Sequence, residues 1–306
     1  GIFFSLVFGL ISLGFFVFFI HSISKAIQVD NVLNDLFKNT KGELKCIIDM
    51  QQQNPVEHFP EFDDWHSVKS KTEGYFKGAH SDKLCALCQQ HGIKIYISVK
   101  QGFFTVKGYP FLKCDKDLSD KPELVEQLLD CFIFYIEEYI SDHYRYGMTQ
   151  ISEIAVKAMS PGINDPGTAV KAIDMLSILL ILRLDIYDVN YSLKRCENNQ
   201  PHLFIHETSF DELLHDNFTP IRNYAKNDAY VMVNVLEAFK NILFRASDNN
   251  KATDSLFVYL GAIIEDIDKH ISNEYDREQI TNMLKAIARI SEQQGEKLLA
   301  RFASNQ

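Results

Sequence analysis

The apolar positions at the start of the chain form one uninterrupted run. Residues 2–20 carry no charged side chain over 19 positions, about the length of helix that spans the hydrocarbon core of a bilayer. A secretory signal peptide would need a basic leader, a shorter apolar region and a small-residue cleavage site, and the run shows none of these. The pattern therefore predicts a transmembrane helix over residues 1–21.

The pattern changes twice after this run. Apolar residues at helical spacing predict a helix that leaves the membrane, breaks near Gly42 and leads into a linker, together residues 22–66. Short segments between turn residues predict a small β-rich module over residues 67–116. The remainder, 117–306, predicts an α-helical domain, with helices at 122–140, 147–159, from Pro166, and at 209–224, 228–246, 252–272 and 274–302.

These elements predict a membrane-anchored α+β fold. It consists of one transmembrane helix, a small β module and a C-terminal α-helical bundle. Because the chain begins at Gly1 rather than Met, we expect the helix to be the last span of a larger, multi-pass set.

Charge and cysteine content restrict the possible partners and compartment. The formal net charge of −10 argues against a nucleic-acid partner, because phosphate binding needs a basic face. Six cysteines without the spacing of a disulfide scaffold indicate a reducing compartment. A modest excess of lysine follows the span, at Lys25, Lys38, Lys41 and Lys45. Because positive residues favour the cytoplasmic side, we expect the C-terminal region to be cytoplasmic.

The predicted span has one face of small residues. Ser5, Gly9 and Ser12 follow at i, i+4 and i+7, and small residues allow helices to approach closely in lipid. We therefore expect this face to contact another span or subunit. The expected partners of the protein are the lipid bilayer and further copies of the same chain in a homo-oligomer. His21 lies at the membrane exit, where it could sense protons or line an exit, although a simple interfacial polar residue is the favoured interpretation.

A crowded corner separates two predicted helices in the sequence "MSPGINDPGTAV", residues 159–170. Pro161 and Gly162 are typical of a helix end, and Asp165 followed by Pro166 is typical of an N-cap and first helical position. Asn164 is not explained by either signal. Asn164 and Asp165 could bind a cation or polar ligand, but a turn residue beside a cap is the favoured interpretation.

Neither of the two possible metal motifs predicts a metal site. Cys85 and Cys88 lie on the apolar stripe of a short helix that we expect Ser81 to cap and Gly92 to end, which favours a place in the core. His202 and His206 have i, i+4 spacing, but "LFI" between them favours a strand. No catalytic set, glycine-rich phosphate loop or nucleophile elbow is recognisable, and any cofactor is unknown.

The segment "RYGMTQISEIAVKAMSPGINDPGTAVKAIDML", residues 145–176, resembles the signature of a bacterial predicted membrane protein family, domain of unknown function 2254. The matching places are Arg145, Tyr146 and Gly147, the corner from Ala158 to Pro166, and Asp174 with Met175. "FIHSISKAIQV", "EGYFKG", "GFFTVKGYPF" and "IRNYA" are also similar, so the likeness covers nearly the whole chain. The resemblance implies several N-terminal spans and location in the bacterial inner membrane, rather than an activity.

Two hypotheses of function follow. In the first, a non-enzymatic integral membrane protein forms an oligomer whose cytoplasmic part acts in transport, channel gating or sensing. In the second, a membrane-tethered ligand-binding module or enzyme uses the corner Ser160-Pro161-Gly162-Ile163-Asn164-Asp165-Pro166. Its candidate ligand-binding residues are Asn164, Asp165, Arg145 and Asp174. A scaffold for partner proteins is a third possibility.

Overall fold

The computed structural model describes residues 2–26, 29–53, 61–135, 143–186, 202–206, 208–247 and 250–303. The chain divides into two compact units. We call the first the helical unit, which comprises Gly1–Gly42, Gly147–Leu179 and Asn217–Gln306. We call the second the sheet unit, which comprises Glu43–Tyr146 and Leu180–Asp216.

Two long helices begin the chain, α1 at Ile2–Ala26 and α2 at Val29–Gln53. Within α1, the segment Ile2–Phe19 is long and apolar enough to cross a membrane, and none of it is buried inside the protein. The break predicted near Gly42 is wrong, because α2 continues through that residue. A helical glycine costs only about 1 kcal/mol, which the buried side chains of Leu33 and Leu44 offset.

The sheet unit contains a four-stranded sheet in the order β1-β5-β3-β7. Its strands are β1 (His66–Lys69), β3 (Ile95–Ile97), β5 (Pro110–Cys114) and β7 (Leu203–Ile205). β5 pairs antiparallel with both β1 and β3, whereas β7 runs parallel to β3. A strand more than 100 residues later in the chain therefore completes this sheet, as "LFI" between the two histidines indicated.

A second, three-stranded sheet has the order β4-β2-β6, with both pairs antiparallel. Its strands are β2 (Gly74–Ala79), β4 (Phe104–Thr105) and β6 (Phe132–Tyr135). The helix predicted over 122–140 is wrong beyond its first half, because α4 spans only Pro122–Leu129. The following "FIFY" is aromatic and β-branched, which suits a strand paired with β2. Residues 136–140 lie outside the described part of the chain.

The core of the sheet unit includes one face of helix α3 (Ser81–His91). Cys85 and Cys88 are 7% and 0% exposed, so the prediction that both belong to the core is confirmed. Gly92 ends α3, as predicted, and the structure places it in the left-handed region at φ 56°. The N-cap is His80 rather than Ser81, whose hydroxyl donates back to the Ala79 carbonyl.

The remaining helices are α5 (Tyr144–Ala158), α6 (Pro166–Arg183), α7 (Phe210–Ala225), α8 (Ala229–Ala246), α9 (Asn250–His270), α10 (Glu274–Ala288) and α11 (Glu292–Ala303). The Ser209 and Glu212 pair at the start of α7 forms the predicted reciprocal capping box. The helix predicted over 274–302 is two helices, because the chain turns after Ala288. Gly295 permits that turn, since a Cβ there would lie 2.4 Å from the Ala288 Cα.

Candidate functional site

The corner between α5 and α6 is held by its own backbone. The Asn164 N–H donates to the Ser160 carbonyl at 2.9 Å, and the Asp165 N–H donates to the Ala158 carbonyl at 2.7 Å. Asn164 adopts φ 49°, a left-handed conformation in which asparagine is tolerated better than most residues. The left-handed backbone therefore gives a conformational reason for an asparagine at position 164.

Asp165 caps α6, as its position before Pro166 predicted. One carboxylate oxygen accepts the Thr168 N–H at 3.1 Å, and the other accepts the Thr168 hydroxyl at 2.6 Å. These bonds, the hydroxyl first, lower the pKa of Asp165. Both carboxylate oxygens are thus used by the first turn of the helix, which favours a structural role for this side chain.

Asp174 lies on α6, two and a half turns beyond the cap. Partial burial, and next the negative charge of Glu237 on α8, raise the pKa of Asp174. Glu237 itself forms an ion pair with Lys240 at 3.1 Å. Two carboxylates thus share this side of the helical unit, and the arrangement disfavours the charged form of Asp174.

Arg145 belongs to the sheet unit, where it joins a network of four charged side chains. Its guanidinium donates to the Asp216 carboxylate and to the Gln101 carbonyl, both at 3.0 Å. Lys100 lies 3.0 Å from the Glu212 carboxylate and 3.7 Å from that of Asp216. The network connects the loop after β3 with the first turns of α5 and α7.

Glu212 takes part in both the network and the capping box. Burial alone would raise the pKa of Glu212, but the Ser209 N–H and the Lys100 ammonium outweigh it and lower the pKa. The carboxylate therefore remains charged at neutral pH. Its negative charge is matched by the Lys100 ammonium at 3.0 Å, so the pair stabilises local structure.

Arg183 is a buried arginine that the sequence did not predict. Arg183, at the end of α6, is 1% exposed and donates to the Tyr144 hydroxyl at 3.3 Å and to the Ile186 and Thr208 carbonyls at 2.9 Å each. In the sequence it only marks the end of an apolar run. An arginine directly after eight apolar or small residues is a signal that could have found it, because a buried guanidinium is rare without several acceptors.

The two histidines on either side of β7 make separate hydrogen bonds. His202 Nδ1 lies 3.1 Å from the Ile93 carbonyl oxygen, and His206 Nδ1 lies 3.3 Å from the Tyr96 hydroxyl. On a strand, four residues span about 13 Å, so the two rings cannot share one ion. Within the ranges that the structure describes, no three His, Cys, Asp or Glu side chains form a group that could hold a metal.

A surface cleft of about 660 Å³ opens beside α10. Arg277 in its wall donates to Asp268 at 3.0 Å and to the Ile271 carbonyl at 3.1 Å, and its guanidinium lies 4.3 Å from the centre of the Phe302 ring. These contacts fix the arginine against its own helices. The cleft is therefore a polar surface feature, and the guanidinium of Arg277 in its wall already binds Asp268 and the Ile271 carbonyl.

The residues proposed for the membrane segment lie on α1. Ser5, Gly9 and Ser12 are exposed, and the side chain of His21 lies outside the described part of the structure. A Cβ added at Gly9 would meet no atom within 4 Å. The middle of the small face is therefore exposed at Gly9.

Comparison with known sequences agrees with the apolar N-terminal helix. Residues 1–241 match the family described as "Predicted membrane protein", domain of unknown function 2254. The chain belongs to this family. The matched range includes α1, both sheets and the corner, and it ends within α8.

Relatives of this family member occur in mycobacteria. The chain is 19% identical over 298 residues to uncharacterised proteins of Mycobacterium bovis and Mycobacterium tuberculosis. The alignments cover 94% of this chain and 56% of each relative, so the chain spans little more than half of their length. No solved structure matches it.

Proposed function

We propose that the protein is an oligomeric integral membrane protein whose soluble part is cytoplasmic and acts in gating, transport or sensing. The observation that carries the proposal is α1, a 25-residue helix whose most apolar 18 residues are entirely unburied. Burying so many phenylalanine and leucine side chains needs another apolar medium, and a bilayer matches the length of the helix.

The oligomer is the second part of the proposal, supported by the small face of α1. Helices associate in lipid where small residues let their backbones approach, and Gly9 lies in the middle of that face. Three polar side chains that the structure describes, Asp165, Arg145 and Glu212, cap helices or connect loops. In this proposal the two units therefore act on the membrane part through their folded structure.

Membrane insertion is tested by alkaline extraction of cell membranes. We expect the native chain to stay in the pellet and the double variant Phe8→Asp with Phe16→Asp to be released, because each central charge costs roughly 3 kcal/mol of insertion free energy. Phe244→Asp is the matched control, since this phenylalanine is 74% exposed but lies on α8. Release of the native chain by alkali would contradict the proposal.

Sidedness is tested by labelling Cys46, which is exposed on α2 whereas the four other described cysteines are buried. In a Cys196→Ser background, an impermeant maleimide should react only after the cells are opened. Labelling in intact spheroplasts would place the soluble part outside.

The oligomer is tested with two glycines of α1. A Cβ at Gly9 or at Gly14 meets no atom within 4 Å, so we expect the single chain to tolerate both Gly9→Leu and Gly14→Leu. Only Gly9 lies on the small face, so we expect Gly9→Leu to reduce the oligomer seen by mass photometry in nanodiscs and Gly14→Leu to leave it. A strict monomer without ion flux in liposomes would refute both oligomer and pore.

A further inference from the structure

The outer face of the three-stranded sheet carries a row of aromatic rings. Tyr75 on the central strand β2 is the Cα partner of Phe104 on β4 and of Tyr135 on β6. Cross-strand partners point to the same side of a sheet, so the three rings share one face. Phe104 and Tyr135 are 49% and 46% exposed, and the rings of Tyr75 and Phe104 lie 5.0 Å apart.

The opposite face of this sheet is buried. Phe76, next to Tyr75, is 1% exposed, and Thr105, next to Phe104, is fully buried. The alternation of side chains along the strands therefore places Phe76 and Thr105 in the core and the aromatic row on the solvent side. A contiguous exposed apolar patch in a folded protein marks a surface that meets a partner or a membrane.

The patch extends to the tip of the β4–β5 turn. Val106 and Tyr109 are 54% and 39% exposed, with Lys107 and Gly108 between them. Two backbone bonds of 2.8 Å hold the tip to Ser70, one from the Gly108 N–H and one to the Tyr109 carbonyl. The apolar tip is thus held in place by the end of β1. We call Phe104, Tyr75, Tyr135 and this tip the aromatic face.

The charge around the aromatic face is opposite to that of the chain. Segments 67–79 and 100–113, which supply most of it, contain six lysines and one acidic residue, Glu73, in a chain of net charge −10. Lys77 extends over the Tyr135 ring at 5.4 Å, and Lys107 and Lys69 are exposed beside the tip. Among the described residues, the Lys71 and Asp130 pair and the contacts of Lys100 neutralise part of this charge.

We infer that the aromatic face binds the headgroup region of an anionic bilayer surface. Tyrosine and phenylalanine rings flanked by lysines match the chemistry of that region, because the rings enter the interface while the ammonium groups attract anionic lipid. The contact is additional to insertion of α1, and it gives the sheet unit its own membrane-binding surface.

The test uses the full chain in a Cys46→Ser, Cys196→Ser background with a polarity-sensitive fluorophore at Val106→Cys. Vesicles of phosphatidylcholine are compared with vesicles containing about one-third phosphatidylglycerol, both with a shallow nitroxide lipid as quencher. Val258→Cys is the control, since this valine is 78% exposed on α9, outside the aromatic face. We expect blue-shifted, quenched fluorescence at position 106 in anionic vesicles and neither effect at position 258.

Charge variants make the test specific. Lys69→Gln and Lys107→Gln should each lower the equilibrium constant for contact roughly fivefold, and high salt should do the same. Absence of quenching at position 106, or equal quenching with neutral lipid, would overturn the inference. A label that is blue-shifted yet shielded from the nitroxide lipid would assign the face to a second copy or another protein.

The result does not depend on α1. An alkaline wash of the floated vesicles reports insertion of the helix separately. If α1 failed to insert, the chain would still float with anionic vesicles through the aromatic face and lose that association in high salt. Failure of the proposed anchor and failure of the proposed contact are therefore distinguishable.

Discussion

Replacing Gly147 by alanine should reveal a close approach between α2 and α5 in the helical unit. A Cβ at this position would lie 1.8 Å from the Oγ1 atom of Thr40 and 3.0 Å from its Cβ. Thr40 is 2% exposed and donates its hydroxyl to the Leu36 carbonyl at 2.7 Å, so it has little room and one bond to lose. The same glycine completes the Arg145-Tyr146-Gly147 run, which is part of the segment in which the sequence resembles the family.

The magnitude follows from two opposing terms. Overpacking a filled site costs roughly 1–3 kcal/mol, while alanine in place of a helical glycine contributes about 1 kcal/mol of stability. We expect Gly147→Ala to lose about 1 kcal/mol of unfolding free energy. Gly42→Ala is the control, because this glycine also lies within a helix but a Cβ there meets nothing within 4 Å. It should gain about 1 kcal/mol.

Thermal unfolding in detergent can separate the two variants. A difference of about 2 kcal/mol corresponds to roughly 4–8 °C in Tm for a unit of this size. Circular dichroism follows the helices, whereas the fluorescence of the single tryptophan, Trp65, reports on the sheet unit. Adding Thr40→Ala to Gly147→Ala should recover part of the loss. If Gly147→Ala stabilised the protein as much as Gly42→Ala does, the close approach would be refuted.

Three other substitutions test the corner, the buried arginine and the carboxylates by thermal unfolding. Asn164→Ala should cost about 1 kcal/mol because of the left-handed backbone, whereas Asn164→Gly should not; loss of function in the stable Gly variant would instead indicate a ligand role. Arg183→Lys should lower the stability seen by tryptophan fluorescence by roughly 2–3 kcal/mol, since one ammonium cannot reach all three acceptors, and an unchanged Tm would contradict the network. Folding raises the pKa of Asp174, so the protonated carboxyl favours the folded state. This contribution to stability is fully present below the pKa of the unfolded chain and is lost as the pH rises through the pKa of the folded chain. Asp174→Asn should therefore raise Tm at neutral pH and have no effect near about pH 3, and a lowered Tm at neutral pH would contradict this sign.

Local signals in the sequence predicted many elements because the residues that define them are neighbours in the chain. Asp165 caps the helix that Pro166 begins, Ser209 and Glu212 form a capping box, and Gly92 ends α3 in the left-handed region. Each of these features depends on hydrogen bonds within a few residues. Errors arose inside predicted elements instead, where the helix predicted over 274–302 turns after Ala288 and the break predicted near Gly42 does not occur.

The β6 segment shows the limit of local signals. "FIFY" continues the apolar stripe of the preceding helix, and only pairing with β2, more than fifty residues away, makes it a strand. Secondary structure here is decided by partners, because a strand satisfies its backbone through hydrogen bonds to another segment.

The candidate site was only partly predictable for the same reason. The sequence singled out Arg145 but not Lys100 or Asp216, its companions at distances of 45 and 71 residues along the chain. Ion pairs between such distant positions leave no periodicity or spacing to detect. The buried Arg183 was missed because burial is a property of the packed unit.

The sequence by itself determined the apolar N-terminal helix, the helical segments with their caps and the family to which the chain belongs, since these depend on composition and near neighbours. Only the tertiary structure decided the membership of the two sheets, the partners of Arg145 and Arg183, and the aromatic row across β4, β2 and β6. Each of these joins residues far apart in the chain, and such contacts exist only once packing has brought the segments together.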